Sequence, residues 1–445
     1  MTAGTTYYLR AYATNSVGTS YGAQRSFTTV SLPIVTTKAV TNITDISATC
    51  GGNVTGMGVD AVTARGVCWS TSSNPTIEDA HTTDGSGLGS YTSSIAGLMP
   101  GTTYYLRAYA TNSEGTAYGE QKSFTTLALP TITTQAVTDV KYVSASCGGN
   151  VTATGGASVT ARGVCWSTTS NPTIDDAHTT NGTGTGSYTS SITGLIPGTT
   201  YYVRAYATNS VGTAYGEQRS LTTLPYTPST ITDVDGNVYN TVLIGNQVWM
   251  RENLRTTKYA TGTTIPLGTT TSYDDAYRYY PNNNSANVST YGYLYNWPAV
   301  MKGSASSSAN PSGVQGICPD GWHVPSDAEW TELTNYVSSQ SQYVCGGDED
   351  NIAKALASET GWISSTDNCD VGYNPIANNA TGFSARPAGN YLGNYYGFGD
   401  YAYFWSATQN NSNYAYSRYL YYNYASVGRD NRNKGNGYSV RCIRN

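Results

Sequence analysis

Charge is scarce in this sequence. Only 11% of its 445 residues are Asp, Glu, Lys or Arg, under half the share of about 25% in ordinary globular domains. The net charge is −5 and there is no basic block, which argues against nucleic-acid binding by phosphate neutralisation. Histidine is limited to His81, His178 and His323, and none of the eight cysteines sits in a CxxC pair. A zinc site needs clustered Cys and His ligands, so neither a metal nor a cofactor is expected. The chain lacks any run of the roughly 18 apolar residues that a membrane-spanning helix requires. Its opening residues, MTAGTTYYLRAYATNS, have no basic stretch followed by an apolar one, so they do not read as a signal peptide.

What is present points to β-structure and a hydroxyl-rich surface. There are 48 Gly and 40 Tyr but only 5 Phe. The cysteines are Cys50, Cys68, Cys147, Cys165, Cys318, Cys345, Cys369 and Cys442. An even set of well-separated cysteines in such a chain suits disulfides and an oxidising compartment. That implies an extracellular or cell-surface location, or a phage virion. Export without a signal peptide implies that the N-terminus is incomplete or that the chain leaves by another route.

The N-terminal half repeats itself. GTTYYLRAYATNS begins at Gly4 and again at Gly101, and GTTYYVRAYATNS begins at Gly198, with both intervals being 97 residues. Repeats of this length are whole domains in tandem. Each unit reads as short strands between Gly, Asn and Pro turns, the pattern of a β-sandwich. In TTYYLRAYA, Tyr104, Leu106 and Ala108 share one strand face, and Tyr105, Arg107 and Tyr109 the other. The stretch GLMPGTTYYLRAYA resembles the E–F corner of fibronectin type III domains, with Tyr104 at the family's corner tyrosine. Residues 31–127 and 128–224 are then two complete sandwiches, and 1–30 the last two strands of another. An isolated strand pair is marginal in water, which again favours an incomplete N-terminus.

Cys50 and Cys68 are expected on neighbouring strands. They form either a disulfide, with Cys147–Cys165 as its twin, or a pair of buried free thiols, since Cys also behaves as a small core residue. GSGLGS (85–90) and GTGTGS (182–187) lack the Lys-Ser/Thr of a phosphate loop and read as turns. His81 and His178 read as surface loop residues.

A linker at 225–229 leads to a non-repeating domain, 230–445. Val238 to Ile244 and Gln247 to Arg251 form a hairpin around Gly245-Asn246. DVDGN (233–237) hints at a calcium loop, but the twelfth position, where an EF-hand needs Glu, is Ile244, so a turn is expected. Ser326 and Glu329 make a capping box for a helix with Trp330, Leu333 and Val337 on one face. A second helix is expected over 350–358. His323, between Trp322 and Val324, reads as a structural hydrogen-bonded residue rather than a base.

The set IGNQVWMRENL, YGYLYNW, CPDGWHVPSDAEW, FSARPAG, YFWSAT and YSVRCIRN resembles the Fibrobacter succinogenes major paralogous domain. The resemblance implies a fold similar to C-type lectins: two helices on small antiparallel sheets, with the last strand, SVRC (439–442), returning beside the first. It also implies Cys318–Cys442 and Cys345–Cys369 disulfides. The expected fold class is thus multidomain: all-β immunoglobulin/fibronectin III-like sandwiches followed by an α+β C-type-lectin-like domain.

Between YFWSAT and YSVRC lies a segment of Asn, Tyr, Ser, Asp and Arg. Ala415, Leu420 and Val427 are expected to point inward and hold it. Tyr offers a rigid amphipathic contact surface and Asn adaptable hydrogen bonds, the mixture that antibody paratopes use. The candidate ligand-binding residues are Asn410, Asn411, Asn413, Tyr414, Tyr416, Tyr419, Tyr421, Tyr422, Tyr424, Asp430, Asn431, Asn433 and Asn436. GNYLGNYYGFGDYAY (389–403) is expected to be a neighbouring loop on the same face. The segment also resembles the variable regions of proteins diversified by retroelements, in which mutation at template adenines converts Asn codons to Tyr, Ser or Asp; Asn423 fits this origin as well.

The function expected from these features is ligand binding and adhesion. A sandwich stalk would present a lectin-like tip to a protein or glycan on another cell or virion surface. The alternative is a structural surface or fibre component without a specific ligand. An enzyme is not expected. The same broad fold resembles that of formylglycine-generating oxidases, but those need an active-site cysteine pair, and the disulfides above use every cysteine of the domain. Calcium-dependent sugar binding is disfavoured too, because the EPN or QPD and WND motifs of true C-type lectins are missing. Nothing in the sequence specifies an oligomeric state.

Overall fold

The computed structural model describes residues 1–2 and 4–445. The chain forms two compact units. One comprises Met1–Val140, Ser144–Gly194 and Thr199–Thr222, the other Lys141–Val143, Leu195–Gly198 and Thr223–Asn445.

In the first unit each full repeat is a two-sheet sandwich. Strands Ile34–Thr37, Ser47–Gly56 and Gly89–Ala96 form one sheet. Strands Ala64–Ser70, Ala80–His81, Thr103–Asn112, Gly115–Tyr118 and Lys122–Thr125 form the other. Period-two alternation fills the space between them: Tyr104, Leu106 and Ala108 face Val35, Ala48, Val54 and Ile95. Tyr104 Oη accepts the Met99 amide at 3.1 Å, which ties the corner. The next repeat has the same two sheets.

The possible disulfides of the repeats do not form. Cys50, Cys68, Cys147 and Cys165 are all free and buried. Cys50 and Cys68 are not on neighbouring strands but in different sheets. Cys50 lies in the inter-sheet core. Cys68 follows the core residue Val67, so its side chain is on the opposite face of its strand, where Sγ contacts the Pro75 carbonyl at 3.3 Å. Burial pushes the Cys68 and Cys165 thiols up to about 11, so neither is a thiolate at neutral pH.

The glycine loops are turns clamped from inside the repeat. Arg65 Nη1 donates to the Leu88 carbonyl at 2.7 Å, and Arg162 Nη1 to the Thr185 carbonyl at 2.8 Å. His81 and His178 are exposed, but each lies on a two-residue strand rather than in a loop. Among the described residues of 1–30 there are four short strands, not two: Thr6–Leu9 pairs with Arg25–Thr28 and Tyr12–Thr14 with Thr19–Tyr21. They follow the register of the full repeat, where one long strand, Thr103–Asn112, takes the place of the first two.

In the second unit the hairpin Val238–Ile244 and Gln247–Met250 turns at Gly245, whose φ of +60° suits a residue without a Cβ. The chain end returns beside it, with Trp249 opposite Ile443 and Ile443 opposite His323. The paired strand is Ile443–Arg444 rather than 439–442. The preceding residues still dock on this sheet, since Met250 N donates to the Cys442 carbonyl at 3.1 Å. Disulfides Cys318–Cys442 and Cys345–Cys369 are both present.

Ser326 caps the helix Asp327–Ser338 through the full capping box with Glu329. The second helix is a single turn, Ala353–Leu356, because Ala357 turns extended and bridges to Ala385. In the DVDGN loop Asp233 accepts from the Asp235 and Asn237 amides and from Tyr239 Oη at 2.6 Å. Asp235 accepts from Thr257 and pairs with Lys258 at 3.3 Å. Both carboxylates serve the turn. No group of three or more His, Cys, Asp or Glu among the described residues is placed to hold a metal ion, and no helix among them is long and apolar enough to cross a membrane.

Candidate functional site

The Tyr/Asn-rich segment folds into a three-stranded antiparallel sheet, Tyr401–Gln409, Tyr414–Tyr421 and Gly428–Asn433. The first strand is scaffold. It sends Ala402 and Phe404 into one hydrophobic core and Tyr403, Trp405 and Ala407 into another. The middle strand is buried in the same two-sided way: Ala415 enters one core and Leu420 the other. Val427 packs at the rim of the second. The sheet therefore stands between two cores, with Gly428–Asn433 as its outer edge. Arg, Asp and Asn on that strand disfavour pairing with another chain.

Short local bonds set the turns. Asn411 Oδ1 accepts the Asn413 and Tyr414 amides at 2.9 and 3.0 Å, closing the first turn. The second is held from outside by Gly372 N to the Tyr422 carbonyl at 2.6 Å and by Ala353 N to the Ala425 carbonyl at 2.8 Å.

The two faces beyond the cores differ. On one, Tyr401 lies opposite Tyr421, and Tyr403 opposite Tyr419. Tyr403 stacks on Tyr438 with centroids 4.8 Å apart, and its Oη meets Tyr421 Oη at 2.5 Å. Burial, reinforced by that hydrogen bond, pushes the Tyr403 phenol well above its ordinary value. Arg432 lies over the Tyr403 ring at 5.4 Å and pairs with Asp430 at 3.0 Å. Gly428 is required here, since a Cβ would fall 2.0 Å from the Tyr419 ring.

The other face carries three cross-strand pairs: Tyr414 opposite Asn433, Tyr416 opposite Asn431, and Arg418 opposite Arg429. Both guanidiniums converge on Asp327, at the start of the capped helix. Arg418 is buried and donates to Asp327 Oδ1 and, at 2.9 Å, to Thr331 Oγ1. Arg429 Nη2 donates to Asp327 Oδ2 at 2.8 Å, and its plane lies over the Tyr416 ring at 4.0 Å. Burial pushes the Asp327 carboxyl up, but Arg429 and Arg418 outweigh it and hold it below the usual range.

Of the expected contact residues, Asn410, Asn411, Asn413, Tyr414, Tyr424 and Asn431 are exposed, as is Asn423. Tyr416, Tyr419, Tyr421, Tyr422, Asp430, Asn433 and Asn436 are half-buried. All lie on this sheet or its turns. Tyr419 and Tyr421 are bound into the ring stack, and Asn436 Nδ2 donates to Tyr438 Oη at 3.2 Å. The 389–403 loop joins the ring-stack face through Tyr401, whose ring is 4.6 Å from that of Tyr421. Its own tip, with Leu392 and Tyr396, is exposed.

Sequence reasoning missed the ionic part of the site: Asp327, Arg418, Arg429 and Arg432. Its signal is three arginines within 15 residues (418–432) of a charge-poor chain. His323 has no room for catalysis. It is buried, with Nε2 2.7 Å from Glu329 Oε1 and Nδ1 2.7 Å from Asn445 Oδ1.

Residues 242–444 match the family model of the Fibrobacter succinogenes major domain. A search of curated protein sequences returns no match. Among solved structures, the chain is similar to the FN1–FN3 domains of chicken CNTN1. Identity is 17% and the TM-score 0.20, over 50% of this chain and 76% of that one.

Proposed function

We propose that this is an extracellular ligand-binding and adhesion protein whose C-terminal sheet is the contact surface, with the fibronectin III-like repeats as its spacer. The ligand is a protein or glycan on another cell or virion surface. One observation carries this reading: the backbone of 410–436 is held by two cores, a capped helix and pinned turns, while Tyr414, Tyr424, Asn410, Asn411, Asn413 and Asn431 remain exposed. Rigid rings and solvent-exposed amides on an ordered support bind at small entropy cost. Exposed rings that neither pack nor bind are normally kept few.

Retroelement diversification is the finer part of the proposal. Its support is that Asn and Tyr dominate the positions facing solvent, whereas Ala415, Ser417 and Leu420 are buried. The test is to sequence the segment across a source population and to screen the full chain against glycan and surface-protein arrays. Variation confined to 410–436, and a ligand lost on Tyr414→Ala and Tyr424→Ala without loss of melting temperature, is the expected result. Uniform conservation sinks diversification. Binding that ignores both substitutions sinks the proposed contact surface.

A further inference from the structure

We propose that the Arg429 edge of the sheet is a subsite for the carboxylate of an acidic sugar, an inference that rests on the binding role just argued. Residues 410–436 carry Arg418, Arg429, Arg432 and Lys434 against the single carboxylate of Asp430, in a chain whose net charge is −5. The four cations are not equivalent. Lys434 is buried over Trp297, with Nζ on Gln409 Oε1 at 2.8 Å and on the Ser412 carbonyl at 3.0 Å. Arg432 has Asp430 as its partner at 3.0 Å. Arg418 and Arg429 share the one carboxylate of Asp327, which leaves a positive charge unbalanced. Arg418 is 4% exposed and Arg429 49%, so that charge emerges at Arg429.

Arg429 is held ready for an anion. Its bonds to Asp327 use Nε and Nη2, so that carboxylate does not engage Nη1. Its plane is fixed against Tyr416, whose Oη donates to Asn410 Oδ1 at 3.1 Å. Beside it is the exposed amide of Asn431, opposite Tyr416, and four residues along from Arg429 in the register is the exposed ring of Tyr414, opposite Asn433. Ring and guanidinium are thus four strand residues apart, about 13 Å, the scale of two or three linked sugar rings. An acidic sugar meets all three features: its carboxylate takes the guanidinium, its hydroxyls the amides, and its C–H face a tyrosine ring. An acidic peptide offers the carboxylate and backbone hydrogen bonds, but not the rigid C–H face of a sugar ring to lie on a tyrosine ring.

Calorimetric titration of the full chain with a galacturonic acid tetramer and with sialyllactose tests this. Galactotetraose and lactose are the neutral controls, and polyglutamate is the acidic peptide control. The expected result is binding of an acidic sugar at least tenfold tighter than its neutral counterpart, weakening as NaCl rises from about 50 to about 300 mM. Arg429→Gln should lose at least tenfold and Arg429→Lys less. The salt dependence of the unmodified protein reads the same charge if Arg429→Gln folds poorly. The subsite is overturned if neither acidic sugar binds at about millimolar concentration, if salt leaves affinity unchanged, or if polyglutamate binds in their place. A screened ligand that needs Tyr414 and Tyr424 but ignores Arg429→Gln overturns the subsite alone. One that ignores all three substitutions overturns the binding role as well.

Discussion

Tyrosine is used in two ways in this chain. In the sandwiches its hydroxyls close the fold. Tyr91 Oη donates to the Gly66 carbonyl at 2.7 Å, Tyr109 Oη to the Thr82 carbonyl at 2.7 Å, and Tyr188 Oη to the Gly163 carbonyl at 2.6 Å. Each bond ties a strand to the backbone of another segment, and Gly52 makes room, since a Cβ there would lie 2.4 Å from Tyr91 Oη. In the C-terminal sheet the rings meet one another instead. Tyr403 bonds Tyr421, Tyr416 bonds a side chain, and Tyr424 is 53% exposed, meeting Tyr421 edge-on at 5.5 Å. A tyrosine whose hydroxyl serves the backbone is part of the architecture. One whose ring leans on other rings at a surface can be changed without unfolding its neighbours.

The contrast breaks first, and most strongly, in the sandwich. Tyr91→Ala should cost about 3–5 kcal/mol, through a large cavity next to a glycine that cannot fill it. Tyr91→Phe keeps the ring but strips a donor from a buried carbonyl, so about 1–3 kcal/mol is expected. Denaturant midpoints of the two variants measure both numbers. A loss below about 1 kcal/mol for Tyr91→Ala would erase the distinction.

The next largest effect belongs to the ionic support of the sheet. Asp327→Ala leaves Arg418 buried without its carboxylate, and removing one partner of a buried pair costs about 3 kcal/mol. The same pair makes stability depend on pH. The folded-state pKa of Asp327 lies below its ordinary value. Its contribution is therefore complete above the unfolded value of about 3.9 and is lost as pH falls through the lower, folded-state value. Acid unfolding curves of the parent and of Asp327→Asn should stay separate above about pH 4 and converge as pH falls through the lower, folded-state value.

What could be read from sequence follows the same division. Repeat spacing and strand alternation placed Tyr104, Leu106 and Ala108 in a core, because a period of two is written in adjacent residues. The capping box at Ser326 and Glu329 was equally local. The fate of Cys50 and Cys68 was not, since it depends on which sheet each strand joins. Arg418 and Asp327 are 91 residues apart, and no local pattern links them. The segment 410–436 was expected to point Tyr out and apolar residues in, as if it had one inner face. It has two, because the sheet lies between two cores, and Tyr419 and Tyr421 are therefore half-buried.

Within the ring stack the expected effects shrink. Tyr421→Phe removes only the Oη contact with Tyr403 and keeps the ring contacts with Tyr401, Tyr403, Tyr419 and Tyr424, so about 0.5–1.5 kcal/mol is expected. A shift of the melting temperature by a few degrees would register it.

The smallest effect on stability is also the one that bears most on function. Tyr424 sits at the tip of the second turn, yet that turn is held through its backbone. Val371 N donates to the Tyr424 carbonyl at 3.4 Å, and Gly372 N to the Tyr422 carbonyl at 2.6 Å. Alanine keeps both bonds and loses a ring that is already 53% exposed. Tyr424→Ala should therefore change stability by no more than about 0.5 kcal/mol, as surface substitutions usually do. If the sheet binds its ligand with this ring, affinity should fall by about 1–2 kcal/mol, or roughly five- to thirtyfold, the scale of a moderate aromatic contact at an interface. Measuring melting and binding on the same sample separates the two uses of tyrosine. A large loss of stability would place Tyr424 with Tyr91 among the architectural residues. A loss of affinity alone would place it on the binding surface.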